Sequence, residues 1–396
     1  MNKGIGFLLI FLLSISCNNT KKETITQELG KGEKIAINPE KIVKDYSMAS
    51  TLVDSIEYIP LETTNEGLIG RIKAIHEWNG RFYIWDEQLD AICIFNKQGN
   101  FLKKLAAKGR GPKEYIAIRS FYQNPENGDL YIYCDRSRSI LQYDAEGIFI
   151  NRIPCKFITR DFVLLGKDSL ALYGGKMPNQ EIFSKTFPEQ WRLILLKEGT
   201  IIKKDFFGEY KDVLLNDVGK SRNFSYFSDS TLLMETIGND IYRLYPDGEV
   251  RPRFTIDFGK YNYPLTFDKS KDESLEIINS LREGGNKWCK LTDIWETEMS
   301  LLIEYSFQGY MFNAIYSKET RKIYNIGPIW ANDIDRVPMP VIYASGKDYF
   351  LGGLEAHVIL YAMEDSNKPS DRVKQIAENL TEMDNPVLVK IKMKKI

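Results

Sequence analysis

Residues 79–99, NGRFYIWDEQLDAICIFNKQG, and residues 127–147, NGDLYIYCDRSRSILQYDAEG, are two copies of one pattern set 48 positions apart. Asn79/Asn127, Gly80/Gly128, Tyr83/Tyr131, Ile84/Ile132, Ile92/Ile140 and Gly99/Gly147 are identical, and Phe95/Tyr143 and Asn96/Asp144 are conservative. Asn-Gly accepts the positive φ that a tight hairpin needs. The run behind it, Phe82-Tyr83-Ile84-Trp85, is β-branched and aromatic, as a buried strand requires. A second strand, Ile92 to Phe95, reaches the Gly99 turn, and the chain reverses into Phe101–Leu105. Each copy therefore reads as a four-stranded antiparallel meander, and meanders recurring at about 50 residues mark the blades of a propeller.

The closing hairpin recurs as Ile241, Leu244 and Gly248 in NDIYRLYPDG, and more weakly as Leu195 and Gly199 in LILLKEG. With Gly99, Gly147, Lys318–Thr320 and Asp365–Lys368, six such turns predict an all-β, six-bladed propeller over residues 45–396. Two stretches break the strand pattern and read as helical insertions. They are Asp268–Glu283, with Leu275, Ile278 and Leu281 on one face, and Ser370–Met383, with Val373, Ile376, Ala377 and Leu380 at helical spacing. A ring must join its ends or leave open sheet edges. Val53–Leu61 is accordingly expected to pair beside the last strand, Val387–Met393.

Composition fits this picture. The 396 residues hold 22 Tyr, 21 Phe and 6 Trp, an aromatic content of 12% that favours strands. Lys and Arg number 53 against 54 Asp and Glu, so no basic excess advertises nucleic acid. Two histidines exclude a multi-histidine metal centre. No P-loop, GxSxG or HExxH occurs, and neither a cofactor nor a metal is called for.

The N-terminus carries an address. Lys3 precedes an apolar run, Ile5 to Ile15, too short to span a bilayer but suited to an export signal. Ser16-Cys17 at its end resembles a bacterial lipoprotein cleavage site, although the position three before the cysteine is Ser14 rather than leucine. The resemblance implies residues 1–16 as signal peptide and Cys17 as the lipidated first residue of the mature chain. Residues 17–44 are polar and aperiodic and read as a flexible tether. The membrane is thus expected to be met through the lipid alone, the body being monomeric and placed at the outer membrane of the cell envelope.

Gly109-Arg110-Gly111-Pro112-Lys113-Glu114-Tyr115 resembles the G-x-G-P-x-E-[YF] linker of NHL-like six-bladed propellers. IDFG at Ile256–Gly259 and NPVLV at Asn385–Val389 resemble a group of six-bladed β-propeller lipoproteins of Gram-negative anaerobes, mostly of unknown function. The resemblance implies an exported lipoprotein whose propeller presents a binding face, and it says little about chemistry.

The candidate ligand-binding residues are therefore few: Arg110, Glu114, His76, Asp86 and Asp135. His76 lies on Ile72–Glu77, the expected innermost strand of the first blade, and could act as a base in the channel. A satisfied imidazole is the preferred reading, since its only possible histidine partner, His357, falls in an expected outer strand of the sixth blade. Asp86 and Asp135 end second strands and could ring a cation or a sugar, but capping of turns is preferred. Arg110 and Glu114 read first as an inter-blade tie, with Arg110 the first choice for an anionic or carbohydrate ligand. Cys93, Cys134, Cys155 and Cys289 form no CxxC pair. Buried thiols are preferred, with disulfides left open.

The leading functional reading is a non-enzymatic binding module for a partner protein or an extracellular ligand such as a carbohydrate. The alternatives are a propeller hydrolase or lyase working in the central channel, and a scaffold subunit of an outer-membrane complex. An enzyme predicts an acid-lined pocket on the axis, a scaffold an exposed apolar patch, and a sugar binder aromatics flanked by polar side chains at a face.

Overall fold

A computed structural model describes residues 31–42, 47–166, 169–174, 193–197, 200–203, 222–227, 230–235, 238–262, 288–364 and 368–396. The signal segment, Cys17, the start of the tether, the Gly199 turn and the helix expected at 268–283 lie outside them.

The described chain begins with β1 (Glu33–Ala36), α1 (Ala49–Leu52) and β2 (Val53–Pro60). Blade 1 follows as β3 (Ile72–Trp78), β4 (Arg81–Asp86), β5 (Ala91–Asn96) and β6 (Phe101–Leu105). Blade 2 is β7 (Ser120–Gln123), β8 (Leu130–Cys134), β9 (Ser139–Tyr143) and β10 (Phe149–Pro154). Blade 3 is β11 (Asp161–Leu164), β12 (Ser169–Tyr173), β13 (Leu193–Lys197) and β14 (Thr200–Lys203). Blade 4 is β15 (Phe224–Phe227), β16 (Ser230–Met234), β17 (Asp240–Leu244) and β18 (Val250–Asp257). Blade 5 is β19 (Lys290–Glu296), β20 (Ser300–Phe307), β21 (Tyr310–Ser317) and β22 (Ile323–Gly327). Blade 6 opens with β23 (Val341–Ser345) and β24 (Tyr349–Leu354), passes through α2 (Ala356–Glu364) and α3 (Asp371–Ala377), and ends in β25 (Val387–Met393). The six sheets are antiparallel within each blade, as the sequence predicts.

The repeated turns behave as their residues require. Asn79 and Gly80 both have positive φ, 48° and 70°, the mirror-image turn that matches strand twist. Gly99, at φ 88°, meets the neighbouring sheet so closely that a Cβ would stand 2.1 Å from the Pro60 carbonyl oxygen. Side chains of β4, β5 and β8 are buried almost throughout, because both faces of each blade pack on neighbours. The core therefore lies between blades. Tyr83, Ile94, Ile132 and Leu141 fill the space between blades 1 and 2, and Leu302, Ile315, Ile342 and Val389 that between blades 5 and 6.

Closure follows the expected route. Strand β2 is the outermost strand of blade 6, antiparallel to β25, from Val53 opposite Met393 to Pro60 opposite Val387. Ile59, Leu61, Phe82, Phe95, Leu351 and Leu388 then form one cluster across blades 6 and 1. Asn385, wholly buried, fixes the chain entering β25: its side chain accepts from Ile69 N (2.8 Å) and donates to the Glu62 and Gly67 carbonyls (2.8 and 2.9 Å).

Three expectations need correction. The tether does not extend to residue 44: β1 adds in parallel to β18, with Ile35 and Ile37 each 2% exposed, because the alternating run Lys34-Ile35-Ala36-Ile37 can bury one face on the edge of blade 4. His357 sits on α2, not on an outer strand, since Ala356, Ile359 and Ala362 recur at helical spacing and bury together. The turn expected at Asp365–Lys368 lies, but for Lys368, outside the described residues, and the helix expected at 370–383 is confined to α3.

Deleting residues 386–396 removes β25, the sheet partner that β2 and β24 share. The expected outcome is loss of the cooperative thermal transition of the whole body by circular dichroism. A truncated body that melts like the parent would show that the ring does not depend on this seam.

Candidate functional site

Each blade begins at its inner strand, and the inner strands of successive blades touch around the axis. The end where they begin is called the upper face, and the end where they finish the lower face. His76 lies on inner strand β3, as expected. Its ring stands edge-on to Phe121 of β7, with centroids 4.8 Å apart. Burial and the Arg222 charge lower its pKa to about 4, so it is neutral at physiological pH.

The two repeated acids do not join it. Asp86 is fully buried and accepts four backbone N–H groups: Gly70 (2.9 Å), Arg71 (3.2 Å), Gln88 (2.9 Å) and Leu89 (3.3 Å). It fastens the chain entering blade 1 to the turn leaving β4. Asp135 follows β8, and its carbonyl closes a turn by accepting Arg138 N at 3.2 Å. No hydrogen bond or ion pair joins His76, Asp86 and Asp135 in the described residues.

The linker between blades 1 and 2 is turned on itself. Gly111 N donates to Glu114 Oε2 (2.8 Å), and a Cβ on Gly109 would collide with that carboxylate at 1.9 Å. Tyr115 is buried and its hydroxyl donates to the Asp90 and Leu105 carbonyls (2.9 and 3.2 Å). Arg152 of β10, which sequence reasoning missed, holds the loop by donating to the carbonyls of Pro112, Gly111 and Glu114. Arg110 is exposed. All four cysteines beyond Cys17 are buried free thiols. No group of three or more His, Cys, Asp or Glu able to hold a metal occurs among the described residues.

A second repeat is visible only in the structure. Arg119-Ser120-Phe121, Arg160-Asp161-Phe162 and Arg222-Asn223-Phe224 stand at the upper ends of β7, β11 and β15. Their spacings, 41 and 62 residues, hide them from a search at 48. Asp161 knits them together, accepting Ser120 Oγ (2.6 Å) from one neighbour and Asn223 N and Phe224 N (2.9 and 3.0 Å) from the other.

The lower face carries a pocket of about 870 Å³ across blades 2, 3 and 4. Tyr122, Tyr131 and Tyr226 line it beside Asn124, Asn127 and Gln142, with Ile153, Leu164 and Leu244 supplying apolar wall. Its described lining contains one carboxylate, Glu126, and no lysine or arginine. Burial and the neighbouring Tyr226 and Tyr131 phenols raise the Tyr122 pKa, and burial with Asp129 pushes Tyr131 up to about 12. The hydroxyls therefore remain protonated, each able to donate and accept. Such a lining suits a neutral, polyhydroxylated ligand: rings for its apolar faces, amides and hydroxyls for its oxygens.

A different depression, about 1060 Å³, runs over blades 5 and 6 at the upper face. Ile329, Val341 and Tyr361 line it and are 72%, 61% and 71% exposed. Glu304 lies at its inner end, raised to about 7 by burial and the nearby Asp293 charge.

Six meanders closed by an N-terminal strand define a β-propeller. The family model described as a domain of unknown function, DUF4934, matches residues 34–392, and the chain belongs to that family. A solved structure described as an exported protein of Bacteroides fragilis NCTC 9343 aligns with TM-score 0.78 at 19% identity, covering 91% of this chain and 100% of its own. A member of the duf4221 family from Bacteroides vulgatus ATCC 8482 aligns with TM-score 0.50 at 13% identity, covering 87% and 97%. At these identities the likeness is one of fold. No curated protein matches the chain.

The neutral imidazole has a measurable consequence. The folded state takes up its His76 proton only near pH 4, whereas an unfolded chain does so near 6.5. This contribution to stability is thus present above pH 6.5 and lost as pH falls toward 4. His76→Gln is expected to lose roughly 2 kcal/mol less than the parent between pH 7 and 4.5, read from urea midpoints. Identical pH dependence in both proteins would contradict a neutral His76.

Proposed function

We propose that this chain is an exported lipoprotein of the cell envelope, held at the outer membrane through Cys17, whose propeller is a binding module for a neutral carbohydrate. The observation that carries the reading is the lower-face pocket, where Tyr122, Tyr131 and Tyr226 meet neutral amides and the described lining holds a single charged side chain, Glu126. The volume suits a short oligosaccharide rather than a single small ion. Export and anchoring are supported by the apolar run ending at Ser16-Cys17, and by the exported description of the Bacteroides fragilis structure of the same fold. Several acyl chains on one cysteine give stable attachment where one would be marginal.

Binding is tested on the tether-free body with a panel of neutral oligosaccharides, by thermal shift and then calorimetry. A bound sugar raises the melting temperature because it favours the folded state. The double variant Tyr131→Phe, Tyr226→Phe keeps both rings and removes two hydroxyls. It is expected to weaken that sugar about tenfold or more while melting near the parent temperature. If no sugar binds, or the variant binds equally well, the pocket is not a carbohydrate site. The apolar groove of blades 5 and 6 would then make a partner protein the better reading.

Anchoring has its own test. Cys17→Ser expressed in the native host is expected to leave the membrane fraction and to lose incorporation of labelled fatty acid. Retention of the label would remove Cys17 as the attachment site.

A further inference from the structure

The tyrosine pocket is built on a single row of blade 2. Tyr122 of β7 stands opposite Tyr131 of β8, Tyr131 opposite Gln142 of β9, and Gln142 opposite Asn151 of β10. Directly opposed residues project from the same face of a sheet, so these four side chains form one continuous strip. All four line the pocket. At the ordinary strand spacing the strip is about 14 Å long, with two rings at its axial end and two amides toward the rim. The Tyr122 and Tyr131 rings have centroids 6.3 Å apart and are tilted by 50°. Leu164 and Leu170 of blade 3 and Leu244 of blade 4 supply apolar wall.

The amides are oriented by partners of their own. Gln142 Nε2 donates to Asp129 Oδ2 at 2.8 Å, which leaves Oε1 to be offered to a ligand. Asn151 Oδ1 accepts Arg152 N at 2.8 Å, which leaves the Nδ2 hydrogens. Two further asparagines of the lining are set in the same way. Asn124 Oδ1 accepts Glu126 N at 3.0 Å, and Asn127 Oδ1 accepts Asp129 N at 3.1 Å. None of the three asparagine nitrogens makes a hydrogen bond within the described residues. The strip thus places an acceptor on β9 beside a donor on β10, a complement to the N–H and C=O of a secondary amide. An anionic group suits it poorly: Glu126 and the Asp129 carboxylate that holds Gln142 would repel it, and the described lining has no lysine or arginine.

We infer that the sugar taken by this pocket carries an acetamido group, whose N–H donates to Gln142 Oε1 and whose carbonyl accepts from Asn151 Nδ2. The inference rests on the carbohydrate reading of the pocket and names the substituent that the pocket selects. The sugar ring then lies against Tyr122 and Tyr131, and the acetyl methyl meets the leucine wall. A hydroxyl at the same carbon brings neither carbonyl nor methyl, so it leaves the added donors and the apolar wall unanswered.

The test uses the full chain in a non-glycosidic detergent, with calorimetry on two matched pairs of sugars. They are the β-1,4 trimers of N-acetylglucosamine and of glucose, and N-acetylgalactosamine with galactose. The deacetylated glucosamine trimer is a further arm. In at least one pair the acetamido member is expected to bind at least tenfold more tightly than its hydroxyl partner, and the glucosamine trimer no better than the glucose trimer. Asn151→Asp keeps an oxygen for Arg152 N but replaces the donor with an acceptor, at an exposed position. It is expected to melt near the parent temperature and to weaken the acetamido sugar at least tenfold. If hydroxyl sugars bind as tightly, or Asn151→Asp keeps the full preference, the inference falls while the carbohydrate reading stands. Tightest binding of the glucosamine trimer also overturns it, because an ammonium group drawn to Glu126 would then decide the choice. If no sugar of any kind binds, the inference and the carbohydrate reading fail together.

Discussion

The ring depends on one seam. Strand β2, from the start of the body, completes the sheet that β25 ends, and the two pair over their full lengths. Without that pairing blades 1 and 6 would each present a bare flank, and every inter-blade core would border an opening rather than a neighbour. Each hydrogen bond in the seam contributes only about 1 kcal/mol net. Its leverage is geometric: it decides whether six separately meandering sheets share one continuous core. Asn385 concentrates this role. All of its amide valences go to the loop between β2 and β3, so the chain end is fixed to the first blade as well as to the last.

Elsewhere the blades are joined by apolar contact reinforced at points by buried charge. Glu296, at the end of β19, is wholly buried within 2.5 Å of Lys318, 3.3 Å of Arg253 and 3.9 Å of Arg243. Two of those cations come from blade 4, so the carboxylate ties blade 4 to blade 5. Asp335, nearly buried, performs the same service outside the ring: it accepts Tyr58 Oη at 3.0 Å, Ser370 Oγ at 2.7 Å and the Arg372 guanidinium. Removing one member of such a set leaves the others buried and uncompensated, which is costly.

How much of this was legible in the sequence follows from which signals are local. Asn79-Gly80 and Asn127-Gly128 announce their hairpins because positive φ is a demand on a single residue, and the strands behind them are long enough to be read. The closure was legible because Val53–Leu61 alternates like a strand and has no partner nearby. The failures are equally physical. The run AHVILYAME is short and largely apolar, with Val358 and Ile359 side by side, so period alone could not separate a helix from a strand, and His357 was misplaced with it. The tyrosine pocket draws on residues 122, 131 and 226, and the arginine set on 119, 160 and 222. Neither keeps the blade period, because the blades differ in length between their inner strands.

The position of the tyrosine pocket follows from the same construction. Blades 1 and 6 are committed to the seam, and the N-terminal segment crosses the rim of blades 4 and 5, with Asn325 Nδ2 donating to the Asn38 and Lys41 carbonyls at 2.9 and 3.1 Å. On the faces, strand ends and turns are relieved of that duty. A pocket between the ends of blades 2, 3 and 4 is lined by three sheets that no β-ladder connects. A ligand seated there touches all three at once, so part of its binding energy acts as adhesion between blades.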